Sequence, residues 1–260
     1  MPMRDNQLKK KLTSGGVVLG TALLELRGRG AIYPLAEAGM EFVFICSEHS
    51  ALNLESVVDM VAHAHAAGIA PIVRVPDLEY QAVTRLLDSG CQSLILPHAR
   101  TGDDIRRFIE YAKYHPEGRR GMAIYGGAST NYAEVDQLTA MQHANANTLL
   151  GLVIETREAI DNIEDMLLPG IDLVLVGHQD LSQSLGIPGQ YTHASMTEAT
   201  QKVRSLCQTR GIATAGVLGQ PEQIKAAIDG GAQFLMYGAD VVFLREAAKR
   251  AVEALAAVQS

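Results

Sequence analysis

Two carboxylates stand at places where they could hold a hard cation. Glu155 follows the apolar run 149–154, and Asp180 follows the run 173–176 across Gly177, His178 and Gln179. Each run is apolar throughout, as expected of a strand buried on both faces in a parallel sheet. Mg²⁺ is usually bound by one or two carboxylates together with water and substrate oxygens. Two more ionisable groups occupy comparable positions: His49, shortly after the run 42–46, and Arg74, within the run 71–75. An imidazole moves protons near neutral pH, and a fixed guanidinium stabilises charge developing on an oxyanion or enolate. Metal, cation and base together suit proton abstraction beside a carbonyl, or the cleavage of a carbon–carbon bond that is its counterpart.

Each residue also has an ordinary structural reading. Arg74 could pair with Asp77 or Glu48, Glu155 with Arg157, and Asp180 is suited to cap a helix at Leu181-Ser182. A strand-end histidine such as His49 is often structural. The convergence of four ionisable groups from four strand ends is what favours chemistry. His98 and His178 follow strands and rank second as pocket residues, whereas His63 and His65, two apart on a helix, cannot face one ligand. Cys46 reads as a small buried hydrophobe.

The elements that must carry these residues alternate regularly. Strands are expected at 17–23, 42–46, 71–75, 93–97, 149–154, 173–176, 213–218 and 234–238, each followed by a helical pattern. A first helix over 5–14 precedes them. The segment 122–125 is short, flanked by glycines and poor in β-branched residues, and it reads as part of a long loop. Eight strand–helix repeats in 260 residues, 47% of them hydrophobic, with no low-complexity linker, predict one (β/α)₈ TIM barrel domain spanning 1–260. The pair Gly28 and Gly30 lacks the third glycine and the acidic residue of a dinucleotide fingerprint.

A net charge of −7 argues against nucleic acid and anionic membrane as partners. Three cysteines (Cys46, Cys91 and Cys207) without metal-ligand spacing fit a reducing compartment. Residues 1–7 lack the apolar core of a signal peptide and no window is long enough to span a bilayer, so a cytoplasmic protein is expected.

At these residues the sequence resembles the HpcH/HpaI family of metal-dependent pyruvate aldolases, within the phosphoenolpyruvate/pyruvate barrel superfamily. The likeness runs from Gly20 into the final helix. Its pieces are Glu48-His49, Ile72-Val73-Arg74, Leu86-Leu87-Asp88-Ser89-Gly90, Glu117-Gly118-Arg119-Arg120-Gly121, Ile154-Glu155-Thr156-Arg157-Glu158-Ala159 and Asp180-Leu181-Ser182. The resemblance implies a class II aldolase that cleaves a hydroxy-2-oxo acid reversibly to pyruvate, or a pyruvate analogue, and an aldehyde through an enolate. It further implies a divalent cofactor (Mg²⁺, Mn²⁺ or Co²⁺) on Glu155 and Asp180. His49 matches the general base, Arg74 the enolate-stabilising cation and Asp88 the carboxylate that raises the basicity of that histidine. The main chain after Gly177 would contact the substrate carboxylate, with Gln179 at a substrate-contact position. The resemblance also implies a dimer-based homo-oligomer, on the scale of a hexamer, whose subunits exchange their last helix.

Four positions depart from the family's usual pattern. Cys46 stands where Asp is common, Val153 where Gln is frequent, His178 where Pro is usual and Gln179 where a small residue is usual; the loop 125–130 also lacks an arginine that many members carry. The metal and enolate half of the site is therefore intact while its polar rim is altered. A metal-dependent oxaloacetate decarboxylase or an enolate-condensing synthase on the same barrel is the alternative reading.

Overall fold

In the computed structural model, which describes residues 3–259, eight parallel strands close into a barrel in the order in which they occur along the chain. They are β1 (Val18–Leu23), β2 (Phe42–Cys46), β3 (Ala70–Arg74), β4 (Ser93–Leu96), β5 (Leu149–Ile154), β6 (Leu173–Val176), β7 (Ala213–Leu218) and β8 (Phe234–Ala239). β8 pairs with β1 to complete the ring, with a register shift between Gly20 and Ala22. Helices lie between successive strands, so the fold is a (β/α)₈ TIM barrel. Met1, Pro2 and Ser260, at the ends of the expected domain span, lie outside the described residues.

The strands are short apolar runs whose side chains alternate between two layers. Phe42, Phe44 and Cys46 of β2 join Ile72, Ile95, Leu149, Val153, Leu173, Leu175 and Phe234 in the barrel interior. Val43, Ile45, Leu150, Leu152, Ile154 and Val174 face outward, against helix residues such as Met60, Val61, Leu86 and Phe108. Each such side chain, once buried, contributes about 1.5–3 kcal/mol. The rings of Phe42 and Phe234 stack at 3.9 Å between centroids. That packing needs Gly20, because a Cβ there would come within 2.5 Å of the Phe42 ring.

The first helix, Gln7–Thr13, is capped by Asn6, whose side chain accepts from the Lys9 N–H. Its Leu8 and Leu12 belong to the barrel-interior cluster. At the opposite end, Asp240 opens the last helix, Asp240–Gln259, and its Oδ2 accepts the backbone N–H groups of Leu24, Glu25 and Leu26 at 2.7–3.1 Å. This carboxylate ties the loop after β1 to the end of β8 and holds the rim on that side of the barrel. Among the described residues no helix is long and apolar enough to cross a membrane.

Strand parity decides which chemistry-bearing residues reach the interior. In β5, Leu149 and Val153 point inward, and continuing the alternation brings Glu155 to the same side just past the strand end. In β3 the same count from Ile72 turns Arg74 inward, and in β6 the count from Leu173 and Leu175 reaches Gly177.

Candidate active site

Glu48, Arg74, His98 and Glu155 form the centre of the site at the C-terminal ends of the strands. Arg74 Nε lies 2.8 Å from Glu48 Oε2, and His98 Nε2 lies 2.6 Å from Glu48 Oε1. Neither contact is aligned as a hydrogen bond, so both oxygens of this carboxylate, only 8% exposed, are left without a hydrogen-bond partner. Glu155 is buried, accepts the His98 backbone N–H at 2.7 Å through Oε1, and has His98 Nδ1 at 3.2 Å from the same oxygen. Burial pushes the Glu155 carboxyl above its ordinary range, opposed by the hydrogen bond from His98 and by the His98 charge.

Arg74 is held from two sides. Besides its ion pair with Glu48, its Nη2 donates to Cys46 Sγ at 3.3 Å. The same sulfur accepts the backbone N–H of His49 at 3.3 Å. Cys46, fully buried at the inner end of β2, therefore anchors both the guanidinium and the turn that carries Glu48 and His49. The Arg74–Glu48 pair considered as a structural alternative does form, and it forms at the centre of the site.

Expected site residues are distributed unevenly around this centre. Glu155 and Arg74 lie within it. His49 lies at its edge, with its side chain 55% exposed and Nε2 3.7 Å from Glu48 Oε1. Asp180 lies in the first turn of the helix His178–Ser184, whose N-cap is Gly177, so it does not itself cap that helix. Its side chain has no hydrogen-bond or ion-pair partner among the described residues, and it is absent from the one cluster whose ligand atoms lie close enough together to hold a metal. Gln179 is exposed on the same turn, and the His178 ring is partly buried, with its pKa pushed down by that burial and by Arg204.

Asp88 is elsewhere. Its carboxylate pairs with Arg120 at 2.5 Å, at the end of the helix Tyr80–Asp88, and no hydrogen bond or ion pair joins it to His49. Arg120 is almost wholly buried and stacks over the Tyr114 ring, with its Cζ 4.6 Å from the centroid. The pair secures the loop 115–121 against the barrel's outer layer.

Sequence reasoning gave no site role to Glu48 and placed His98 in the second rank. Glu48 adjoins His49, and its position relative to inward-facing Cys46 was available from strand parity. His98 follows the end of β4, and what turns it towards the site is a left-handed backbone, φ 52°, at a non-glycine residue. Such a conformation is uncommon and cannot be read from residue type.

The donor set suits a divalent cation. Glu48, His98 and Glu155 each offer a ligand atom, and these atoms all lie within 4.8 Å of one another. The carboxylates of Glu48 and Glu155 repel each other at this separation, and Arg74 and His98 offset that repulsion in part, as a divalent cation would do further.

Comparison with known proteins agrees with this geometry. A model of the HpcH/HpaI aldolase/citrate lyase family matches residues 32–247. A hydroxypyruvate/pyruvate aldolase of Roseovarius nubinhibens is 30% identical over 252 residues, covering 96% of each chain. A solved HpcH/HpaI aldolase from Desulfitobacterium hafniense superposes with a TM-score of 0.90 at 30% identity, over 95% of this chain and 96% of that one. The structure of the citrate synthase SbnG superposes with a TM-score of 0.82 at 28% identity, over 97% and 96%. With a family model covering most of its length, and with the barrel and strand-end constellation described above, the chain belongs to the HpcH/HpaI aldolase/citrate lyase family of enzymes.

Proposed function

We propose that the chain is a class II aldolase, a metal-dependent carbon–carbon lyase that cleaves a hydroxy-2-oxo acid reversibly to pyruvate, or a pyruvate analogue, and an aldehyde. The observation that carries this reading is the meeting of buried Glu155 and Glu48 with Arg74 at the C-terminal strand ends. Electrophilic stabilisation of an enolate needs such a water-poor cluster of charge. A bound divalent cation would polarise the 2-oxo acid's carbonyl and stabilise negative charge on its oxygen.

The protein's own residues would divide the remaining work. Glu155, and Asp180 by the resemblance, would hold the cation. Arg74, fixed by Glu48 and Cys46, would face the enolate oxygen and lower the cost of forming it. His49, exposed at the rim, would exchange a proton with the substrate hydroxyl as it enters or leaves. The main chain after Gly177 would receive the substrate carboxylate, with Gln179 at the entrance. Engaged by Arg120, Asp88 is assigned here to supporting the loop 115–121 rather than to acting on His49.

A second reading, a decarboxylase acting on oxaloacetate or an enolate-condensing synthase, is favoured by the close superposition on a citrate synthase. The working unit in either case is one barrel domain over 1–260 in a homo-oligomer. That assembly is supported by the apolar side chains that the last helix leaves exposed, among them Leu244, Val252 and Leu255. Three buried free cysteines support a reducing, cytoplasmic setting.

Deuterium exchange at the pyruvate methyl group in heavy water, followed by NMR, tests the enolate chemistry without knowledge of the aldehyde. Exchange that requires Mn²⁺ or Mg²⁺ and stops with a chelator is expected. Absence of exchange with every metal would overturn the pyruvate reading. Carbon dioxide release from oxaloacetate without aldehyde would favour the second.

A further inference from the structure

We propose that His98 supplies an imidazole nitrogen to the cation through Nδ1, oriented by Glu48, so that the site binds Co²⁺ or Mn²⁺ in preference to Mg²⁺. This rests on the metal-dependent reading above and deepens it, because the resemblance provides oxygen ligands alone.

The geometry around His98 is specific. Its backbone N–H donates to Glu155 Oε1 at 2.7 Å, so the main chain of the imidazole residue is tied directly to the carboxylate expected to hold the metal. The left-handed backbone at φ 52° turns the ring towards the interior. Its two nitrogens then face different carboxylates: Nδ1 is 3.2 Å from Glu155 Oε1, and Nε2 is 2.6 Å from Glu48 Oε1. A metal-bound histidine typically gives its second ring nitrogen to a carboxylate, which fixes the tautomer and raises ligand basicity. Here Glu48 fills that position. With Nε2 engaged by Glu48, Nδ1 remains as the donor on the Glu155 side.

Donor chemistry sets the preference. Mg²⁺ favours an oxygen shell and keeps several waters, whereas imidazole suits later divalent metals. Replacing one oxygen donor by a nitrogen therefore raises the affinity for Co²⁺, and more modestly for Mn²⁺, relative to Mg²⁺. His98 is half-exposed, which leaves the opposite side of a cation open to substrate.

The test is metal binding, separate from turnover. Metal-freed protein is titrated with Mg²⁺, Mn²⁺ and Co²⁺ by calorimetry, and the Mn²⁺ form is examined by pulsed EPR for ¹⁴N coupling. His98→Asn is the matching variant, because Asn tolerates a left-handed backbone and its side-chain oxygen supplies no ring nitrogen. Thermal melting confirms that it is folded. The expected results are directly coordinated nitrogen in the wild type, its loss in His98→Asn, and about tenfold or more weaker Co²⁺ binding in that variant with Mg²⁺ affinity nearly unchanged. A wild-type Mn²⁺ signal without nitrogen coupling would overturn the proposal while leaving the metal reading standing, and it needs no variant. Failure of the wild type to bind any of the three ions would overturn both.

Discussion

Gly177 presses against Glu155: a Cβ added to Gly177 would meet Glu155 Oε2 at 2.8 Å and Glu155 Cβ at 2.7 Å. The backbone there has φ −79°, open to any residue, so glycine is required by close approach rather than by conformation. The main chain that follows β6 and the carboxylate that follows β5 are therefore in direct contact. Gly177→Ala should push the Glu155 carboxylate out of place, at a stability cost of about 1–3 kcal/mol. Metal affinity and metal-dependent turnover should fall by about tenfold or more. Calorimetric titration of the variant checks this, and unchanged affinity would show that Glu155 does not hold the cation.

Arg74 makes an ion pair with Glu48 and a hydrogen bond to Cys46 that a lysine cannot reproduce together. Arg74→Lys should lower kcat by about a hundredfold, the loss expected on removing a preorganised charge donor, with metal affinity within a few-fold of wild type. Steady-state kinetics and metal titration on the same preparation separate the two quantities. A KM effect alone would place Arg74 in ground-state binding.

Asp88 and Arg120 form an ion pair whose cationic member is nearly buried. Removing one partner leaves an uncompensated charge, so Asp88→Ala should destabilise the protein by about 3 kcal/mol in urea denaturation. The pH–rate profile should keep its position. A displaced profile with little loss of stability would return Asp88 to the role of tuning His49.

His65 titrates in the region of the first helix, well away from the proposed chemistry. Burial, and then the Arg4 charge, hold it at about 4 instead of 6.5, while Nε2 faces the Gly90 carbonyl at 3.0 Å. The unfolded chain takes up this proton near pH 6.5 and the folded chain resists until about pH 4. The resulting contribution to stability is therefore full above pH 6.5 and lost as pH falls towards 4. Its size is roughly 3 kcal/mol. His65→Gln keeps a donor for Gly90 and should lose less stability over that window. Denaturation curves at several pH values decide it, and parallel slopes would remove His65 as the cause.

The last helix, Asp240–Gln259, leaves Leu244, Val252 and Leu255 in solvent in the single chain. Light scattering should find a mass above that of a monomer. The paired change Leu244→Arg with Leu255→Arg should yield a smaller species that still melts cooperatively. A wild-type monomer would leave the exposed stripe without the proposed partner.

The sequence by itself determined the barrel, because eight apolar runs and their intervening helical patterns are local signals of burial and periodicity. β2, β5, β6 and β7 have the bounds expected of them, and the segment 122–125 forms no strand. It also determined that Arg74 and Glu155 face the same interior, since alternation from Ile72 and from Val153 turns both inward. Tertiary structure alone decided what surrounds them. Neither the left-handed turn at His98 nor the loss of hydrogen-bond partners at Glu48 is encoded in residue type, because both depend on where β2, β3, β4 and β5 end relative to one another. The pairing of Asp88 with Arg120 likewise joins residues 32 positions apart through a loop with no period to read. Local pattern fixes which face a side chain takes, and only the closed barrel fixes which charges it meets there.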